Sequence, residues 1–228
     1  MIIGVLSDAH GNEIGFYECY NYLKTHADVI YYLGDCVGYF PLSNAIIETL
    51  RNDKVNCLKG NHDAMLLGEL PLDLKKDKVY NITHARENIT NENFNFLKQL
   101  KPELHEEIDN KSIIFLHGSP FDPLNGYVYP DSDFNLFSRI TADVVFMGHT
   151  HRSYIKIFES KLLINTGSCG FSRDVGNLLT VTLYDTIKNE AIIKNLEINV
   201  SMILNKYGDA LHQSVKDLLT RNNKIYGN

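Results

Sequence analysis

The sequence predicts an α/β fold built on two sheets, and three observations carry that reading. Short β-rich apolar runs recur along the chain, helix-compatible segments separate the first of them, and the second half turns to successive strands with short turns. Alternating strands and helices call for parallel strand pairs covered by helices, and the later strands call for a second, largely antiparallel sheet packed on the first.

Ile2–Leu6 reads as a buried strand, too short an apolar run to span a bilayer. Phe16, Cys19, Tyr20 and Leu23 then fall at i, i+3, i+4 and i+7, one face of a helix for which Asn12 stands at the N-cap position. Residues 29–33 form the next strand. Ser43 caps a helix carrying Ile46, Ile47 and Leu50, and residues 55–58 return as a strand. His84 and Arg86 fall on a helix with a solvated face, a phosphate contact being the alternative. The run of Lys75, Lys76 and Lys78, interleaved with Asp73 and Asp77, is a solvated stretch. Thr90 caps a helix bearing Phe94, Leu97 and Leu100, closed by Pro102. Strands follow at residues 113–116 and Val144–Met147, then at Tyr154–Phe158, 162–164, 178–184 and 191–198. A last helix covers residues 202–219. No linker, low-complexity tract or repeat divides the chain, so residues 1–228 read as one domain.

Composition narrows the function. Hydrophobic residues make up 44% and charged residues 22%, ordinary for a globular chain. A net charge of -6 repels phosphate backbones and disfavours a nucleic-acid binder. It leaves room for a small phosphorylated substrate, because bound cations reverse the local field. Cys19, Cys36, Cys57 and Cys169 form no CxxC pair, which excludes a zinc ribbon or a thioredoxin motif. Cys36 and Cys169 read as small buried hydrophobes. With free thiols, no basic leader and no membrane-length apolar run, the expected setting is cytoplasmic, away from membranes.

The chemistry lies in five polar clusters, each just after a strand: Ser7-Asp8-Ala9-His10-Gly11-Asn12, Gly34-Asp35, Gly60-Asn61-His62-Asp63, His117-Gly118 and Gly148-His149-Thr150-His151. Ligands of open α/β sheets bind beyond the carboxyl ends of strands, so these clusters are expected to converge. Asp8 and His10 are two apart, as are His149 and His151. In extended chain such pairs point the same way and form a two-toothed clamp. Oxygen and imidazole donors without thiolate suit Mn, Fe, Zn, Ni or Co. Asp8, His10, Asp35, Asn61, His117, His149 and His151 are more ligands than one ion needs, and Asp35 is the natural bridge between two ions. Two ions clamp the attacking and leaving oxygens of an in-line displacement and lower the pKa of a bridging water.

This ordered set resembles the calcineurin-like metallophosphoesterases, and the resemblance runs from Asp8 to about Gly170. Gly34-Asp35-Cys36-Val37-Gly38-Tyr39 and Asn165-Thr166-Gly167-Ser168-Cys169-Gly170 are similar to the small bacterial and archaeal phosphodiesterase branch. The resemblance implies a four-layer α/β/β/α sandwich with two mixed sheets flanked by helices. It implies one ion on Asp8, His10, Asp35 and His151, and a second on Asp35, Asn61, His117 and His149, manganese being the first choice of metal. His62 would leave the metals alone and serve the leaving alkoxide as acid or stabilise transition-state charge. The activity implied is hydrolysis of a small phosphodiester or phosphomonoester by a metal-bridging hydroxide. Gly38 stands where the phosphoprotein phosphatase branch has a second Asp that orients the catalytic His, and Tyr39 where that branch has Arg. Asp63 is therefore the candidate partner of His62. Asn12 and Arg173 are the candidate substrate contacts, and Tyr127 and Tyr129, in a Pro-rich loop, are expected to wall the pocket. Two other functions use similar folds: a non-catalytic protein-binding scaffold, which the intact ligand set and His62 disfavour, and a nuclease, which the negative charge disfavours.

Overall fold

The computed structural model describes residues 1–222 of the chain. Ten strands form two five-stranded mixed sheets among these residues, in the orders β10-β9-β1-β2-β3 and β4-β5-β6-β8-β7. In the first sheet β1 (Ile2–Leu6) runs parallel to β2 (Val29–Tyr32), and β2 parallel to β3 (Asn56–Cys57). β9 (Leu178–Asp185) lies antiparallel on the other side of β1, and β10 (Glu190–Glu197) antiparallel to β9. In the second sheet β5 (Lys111–Leu116), β6 (Val144–Met147) and β8 (Lys161–Asn165) are parallel. β4 (Glu103–Ile108) and β7 (Tyr154–Phe158) close its edges antiparallel.

Two expectations need correction here. The late strands do not form a sheet of their own: β7 and β8 join the second sheet, whereas β9 and β10 return to the first, with Ile2 paired to Asp185. The expected helix over residues 202–219 is two helices, α7 (Val200–Tyr207) and α8 (Gln213–Leu219). A 3-10 turn at Gly208–Ala210 interrupts it, and His212 caps the second piece through Ser214 N–H.

Helices start where capping predicts. Asn12 caps α1 (Glu13–His26) at Gly15 N–H, Ser43 caps α2 (Asn44–Asn52) at Ile46 N–H, and Thr90 caps α6 (Asn91–Gln99) at Asn93 N–H. Between these come α3 (Asn61–Leu67), α4 (Leu74–Tyr80) and α5 (Ile82–Asn88). Phe16, Cys19, Tyr20 and Leu23 of α1 join Ile46, Ile47 and Leu50 of α2 over the outer face of the first sheet. The layer outside the second sheet is thinner, a loop and the 3-10 helix Asn135–Arg139, packing Phe134 and Phe137 on Ile114, Leu116 and Met147.

Between the sheets lies a dry layer: Ile3, Val5, Tyr31 and Leu33 from one side meet Ile113, Phe115, Val144, Phe146 and Ile164 from the other. Tyr31 stacks on Phe115 with centroids 3.9 Å apart, and Phe115 on Phe146 at 5.0 Å. Burying each such side chain is worth about 1.5–3 kcal/mol. This layer fixes the two sheets face to face and so fixes where their strand tips end. No helix among the described residues is long and apolar enough to cross a membrane.

Candidate metal centre

The carboxyl ends of β1, β2, β3, β5 and β6 bring all five polar clusters together, from both sheets. The backbone there leaves extended geometry. Asp8, His10, Asp35, His149 and His151 have φ of 60°, 50°, 61°, 65° and 56°. Non-glycine residues in this left-handed region cost energy and persist only where the surroundings over-determine them. The surroundings do so: Asp8 N–H donates to Gly34 O at 3.0 Å and His10 N–H to Asp35 O at 3.0 Å. Tyr32 Oη donates to Asp35 O at 3.0 Å and accepts from Ala9 N–H at 3.1 Å. His149 N–H donates to Asp8 Oδ2 at 3.0 Å. The paired residues thus face one point because of left-handed turns, not because of strand alternation. At Gly60 a Cβ would lie 2.0 Å from Asp35 Oδ1, so only glycine lets β3 reach Asp35.

The side chains converge. His10 Nε2 is 3.6 Å from Asp8 Oδ1 and 3.6 Å from Asp35 Oδ2, and His151 Nε2 is 3.3 Å from Asp8 Oδ1. His117 Nε2 is 3.4 Å from Asp35 Oδ2 and 2.9 Å from Asn61 Oδ1. Asp35 Oδ2 therefore faces both groups. Asp8, His10 and His151 form one cluster of donor atoms, and Asp35, His117 and His149 another.

Whether these residues suit metal can be asked of the imidazoles. His10, His117 and His151 each turn Nδ1 to a backbone carbonyl, of Val37, Leu33 and Phe171, at 2.9, 2.8 and 3.0 Å. A carbonyl only accepts, so Nδ1 carries the proton and Nε2 of the neutral ring is a bare lone pair. Yet Nε2 of His10 and His151 lie 3.0 Å apart. Two lone pairs at that distance repel unless a cation or proton sits with them. Asp8 Oδ1 and His149 Nε2 are also buried without a hydrogen-bond partner. The donor set fits divalent cations.

The charges agree. Burial works to raise the Asp8 and Asp35 pKa values, but facing imidazoles, His151 and His10 for Asp8 and His117 and His62 for Asp35, hold both well below the carboxylate range. Burial pushes His149 down to about 3 and His151 to about 4, keeping their rings neutral. His117 is opposite: burial disfavours its charge, but Asp35 outweighs this and lifts it to about 9.

His62 joins His10 and Asp35 in a third cluster of donor atoms, its ring 4.7 Å from that of His10 and 5.0 Å from Tyr39. Burial drives its pKa well below the usual imidazole value, and its Nδ1 is buried without a partner. A Cβ at Gly38 would lie 2.3 Å from that nitrogen, and Gly38 has φ of 104°. No side chain fits there. The expectation that Asp63 orients His62 is corrected. Asp63 accepts Asp35 N–H at 2.8 Å, Cys36 N–H at 2.9 Å and Gly60 N–H at 3.0 Å, and no bond joins it to His62. It positions the Asp35 loop. Burial and the Asp35 charge push its pKa up to about 7.

Asn12 does not face substrate either. It is fully buried, accepts from Gly15 N–H at 3.2 Å and donates to Gly170 O at 2.5 Å. Arg86 is not on a free helix face: its guanidinium donates to Leu66 O and Met65 O, closing the end of α3. Cys36 and Cys169 are buried, and burial lifts both thiols well above their usual range. The Asn165–Gly170 stretch is a clasp: Ser168 Oγ donates to Asp8 O at 2.8 Å, and Asn165 Nδ2 to Gly148 O at 2.7 Å.

Arg173 does reach the site. Its Nη2 donates to Tyr39 Oη at 3.0 Å, while its Nε is buried and unpartnered. Tyr127 lies against the His149 ring at 4.1 Å and parallel to Tyr129 at 5.8 Å. Tyr80, which sequence reasoning missed, leans on His62 at 4.6 Å. It ends a surface helix with no motif to mark it. An open groove of about 420 Å³ lies at the other end of the first sheet, between the starts of β2 and β3, and contains none of these residues.

Comparison with known proteins bears on this centre. The model of the calcineurin-like phosphoesterase superfamily domain matches residues 1–189. An uncharacterized protein of Methanocaldococcus jannaschii is 33% identical over 204 residues, 81% of this chain and 82% of that protein. A hypothetical protein of Pyrococcus horikoshii OT3 shares the fold with a TM-score of 0.81 at 19% identity, covering 98% of this chain and 99% of that one. A metallophosphoesterase from Sphaerobacter thermophilus does so with a TM-score of 0.75 at 22% identity, covering 96% and 98%. At these identities the two structures speak for the fold alone.

Proposed function

The chain belongs to the calcineurin-like phosphoesterase superfamily, and on that premise we propose that it hydrolyses a phosphodiester or phosphomonoester of a small molecule at a dinuclear metal centre. The observation that carries the reading is the 3.0 Å approach of His10 Nε2 to His151 Nε2, with both Nδ1 atoms committed to carbonyls. That arrangement makes sense around a cation.

Asp8, His10, Asp35 and His151 would hold one ion, and Asp35, Asn61, His117 and His149 the other, with manganese the first candidate. When bound, such ions neutralise phosphate oxygens and acidify a water for in-line attack. The chain's own groups do the rest. Asp8 and Asp35 remain ionised and neutral His149 and His151 keep lone pairs available. His117, whose proton Asp35 favours, would give that proton up if an ion were bound there. His62 faces the phosphate and protonates the leaving alkoxide or stabilises its charge, the negative ester opposing the burial that keeps the free ring neutral. Arg173 offers its unpartnered Nε, and Tyr39 holds the guanidinium in place for bidentate contact with phosphate oxygens. The chain's free thiols suit a cytoplasmic setting.

The test is turnover of bis-p-nitrophenyl phosphate and p-nitrophenyl phosphate with added Mn²⁺, alongside elemental analysis. We expect hydrolysis of at least one ester, abolished by excess EDTA and restored by metal. Activity persisting after verified metal loss, or no turnover with two metals bound, would refute the reading.

A further inference from the structure

Beyond the metal ligands, the mouth of the site holds an aromatic surface that the proposed chemistry does not use. Tyr127 is 54% exposed although its ring lies 4.1 Å from the buried His149 ring. Tyr129 stands parallel to it, the planes 15° apart. The Arg152 guanidinium lies over the far ring, 6.0 Å from its centroid.

The loop presenting Tyr127 is built stiff. Gly118 N–H donates to Pro123 O at 2.7 Å, Ser119 N–H to Asp122 O at 2.9 Å and Gly126 N–H to Asp122 O at 2.9 Å. Asn125 N–H donates to Asp122 Oδ1 at 3.0 Å, and a Cβ on Gly126 would lie 2.0 Å from Ser119 Oγ. After Tyr127, Val128 is buried and its carbonyl accepts Tyr154 Oη at 3.1 Å. A rigid, half-exposed aromatic ring has already met its ordering cost before a ligand arrives. The contact of its ring with that of His149 places it beside the candidate metal centre.

We infer that Tyr127 is a stacking platform, and that the substrate is a phosphate ester whose non-leaving arm carries a planar aromatic ring, of the kind a nucleoside supplies. The inference rests on the phosphoesterase reading and adds the substrate class. A π-face is what such a platform recognises, whichever base it carries. The net charge of -6 selects a small ester rather than a nucleic-acid strand.

The test holds the leaving group constant. p-Nitrophenyl esters of thymidine phosphate, phenyl phosphate and methyl phosphate are compared in the Mn²⁺-loaded protein, with release of p-nitrophenolate as the readout. The thymidine and phenyl esters are expected to exceed the methyl ester in kcat/KM by about tenfold, mostly through KM. Tyr127→Ala brings that ratio toward one, while Tyr127→Phe keeps it. A wild-type ratio near one, or a ratio that survives Tyr127→Ala, overturns the platform while leaving the phosphoesterase reading intact. Failure to hydrolyse any of the three, with p-nitrophenyl phosphate also left intact, sinks the phosphoesterase reading instead, whereas turnover of p-nitrophenyl phosphate alone overturns the ester class inferred here and leaves that reading standing. Calorimetric titration with thymidine methylphosphonate then decides the platform: it is upheld only if binding weakens about tenfold in Tyr127→Ala and not in Tyr127→Phe.

Discussion

The same strands build two regions of opposite character. Along their bodies, Ile3, Val5, Tyr31, Leu33 and Phe115 pack a dry layer between the sheets. A few residues further on, Asp8, His10, Asp35, His149 and His151 adopt left-handed backbone, and Asp8 Oδ1 and His149 Nε2 are buried without protein partners. The bodies obey every local rule of strand chemistry and the tips break several. The contrast teaches that the layer's stability is what holds the tips in place, and that rule-breaking marks where chemistry was selected over stability.

Breaking the tips without touching the layer should have the largest effect. Asp35→Asn removes the charge that faces both imidazole groups while keeping an oxygen for His62 N–H. Turnover is expected to fall by about 10³-fold or more, with metal content dropping in elemental analysis and the unfolding midpoint of the metal-free protein little lowered. His62→Ala should cost about 10²- to 10⁴-fold in turnover while both metals stay bound. Loss of the metals in that variant would make His62 a ligand instead.

The reverse experiment breaks the layer. Phe115→Ala empties the middle of the Tyr31–Phe115–Phe146 stack and should lower unfolding free energy by about 3–5 kcal/mol in urea titration. Activity per folded molecule should fall far less than in Asp35→Asn. A Phe115→Ala protein of full stability but no activity would show that the two regions are not separable.

The smallest effect belongs to neither region. Glu13 accepts from Ser43 Oγ at 2.6 Å and pairs with Lys206, tying α1 to α7. Burial works to raise its pKa, but the Lys206 and Ser43 bonds hold it below the ordinary value. A depressed carboxyl contributes stability above its unfolded pKa and loses it as pH falls through the folded one. Glu13→Gln should therefore cost less than about 1 kcal/mol at neutral pH, because the pair is largely solvated, and nothing in strong acid. Denaturation midpoints at the two pH values check this.

The contrast also explains what was legible. Strand bodies such as Ile2–Leu6 and Val144–Met147 announce themselves by apolar runs, and helix starts at Ser43 and Thr90 by their caps. The order of the five polar clusters pointed to one centre. β4, by contrast, reads Glu-Leu-His-Glu-Glu-Ile and pairs along its length with β5 at the edge of its sheet, so its polarity hid it. The sheet that β9 and β10 join is decided by pairing with Ile2 and its neighbours, far away in sequence. Left-handed φ at Asp8 or His149 is imposed by bonds from other segments, and no local pattern encodes it. Asp63 looked like a partner for the neighbouring imidazole. Two of its three amide donors, Asp35 and Cys36, lie in another segment, and the third is Gly60, the N-cap of its own helix.

Because the donor atoms come from tips of both sheets, ions shared among Asp8, Asp35, His117 and His151 would act as rivets through two plates that otherwise adhere by their greasy inner faces and a few hydrogen bonds at their rims. Occupancy and rigidity would then rise and fall together, and a cell starved of such ions would hold a looser, more easily digested form of this chain.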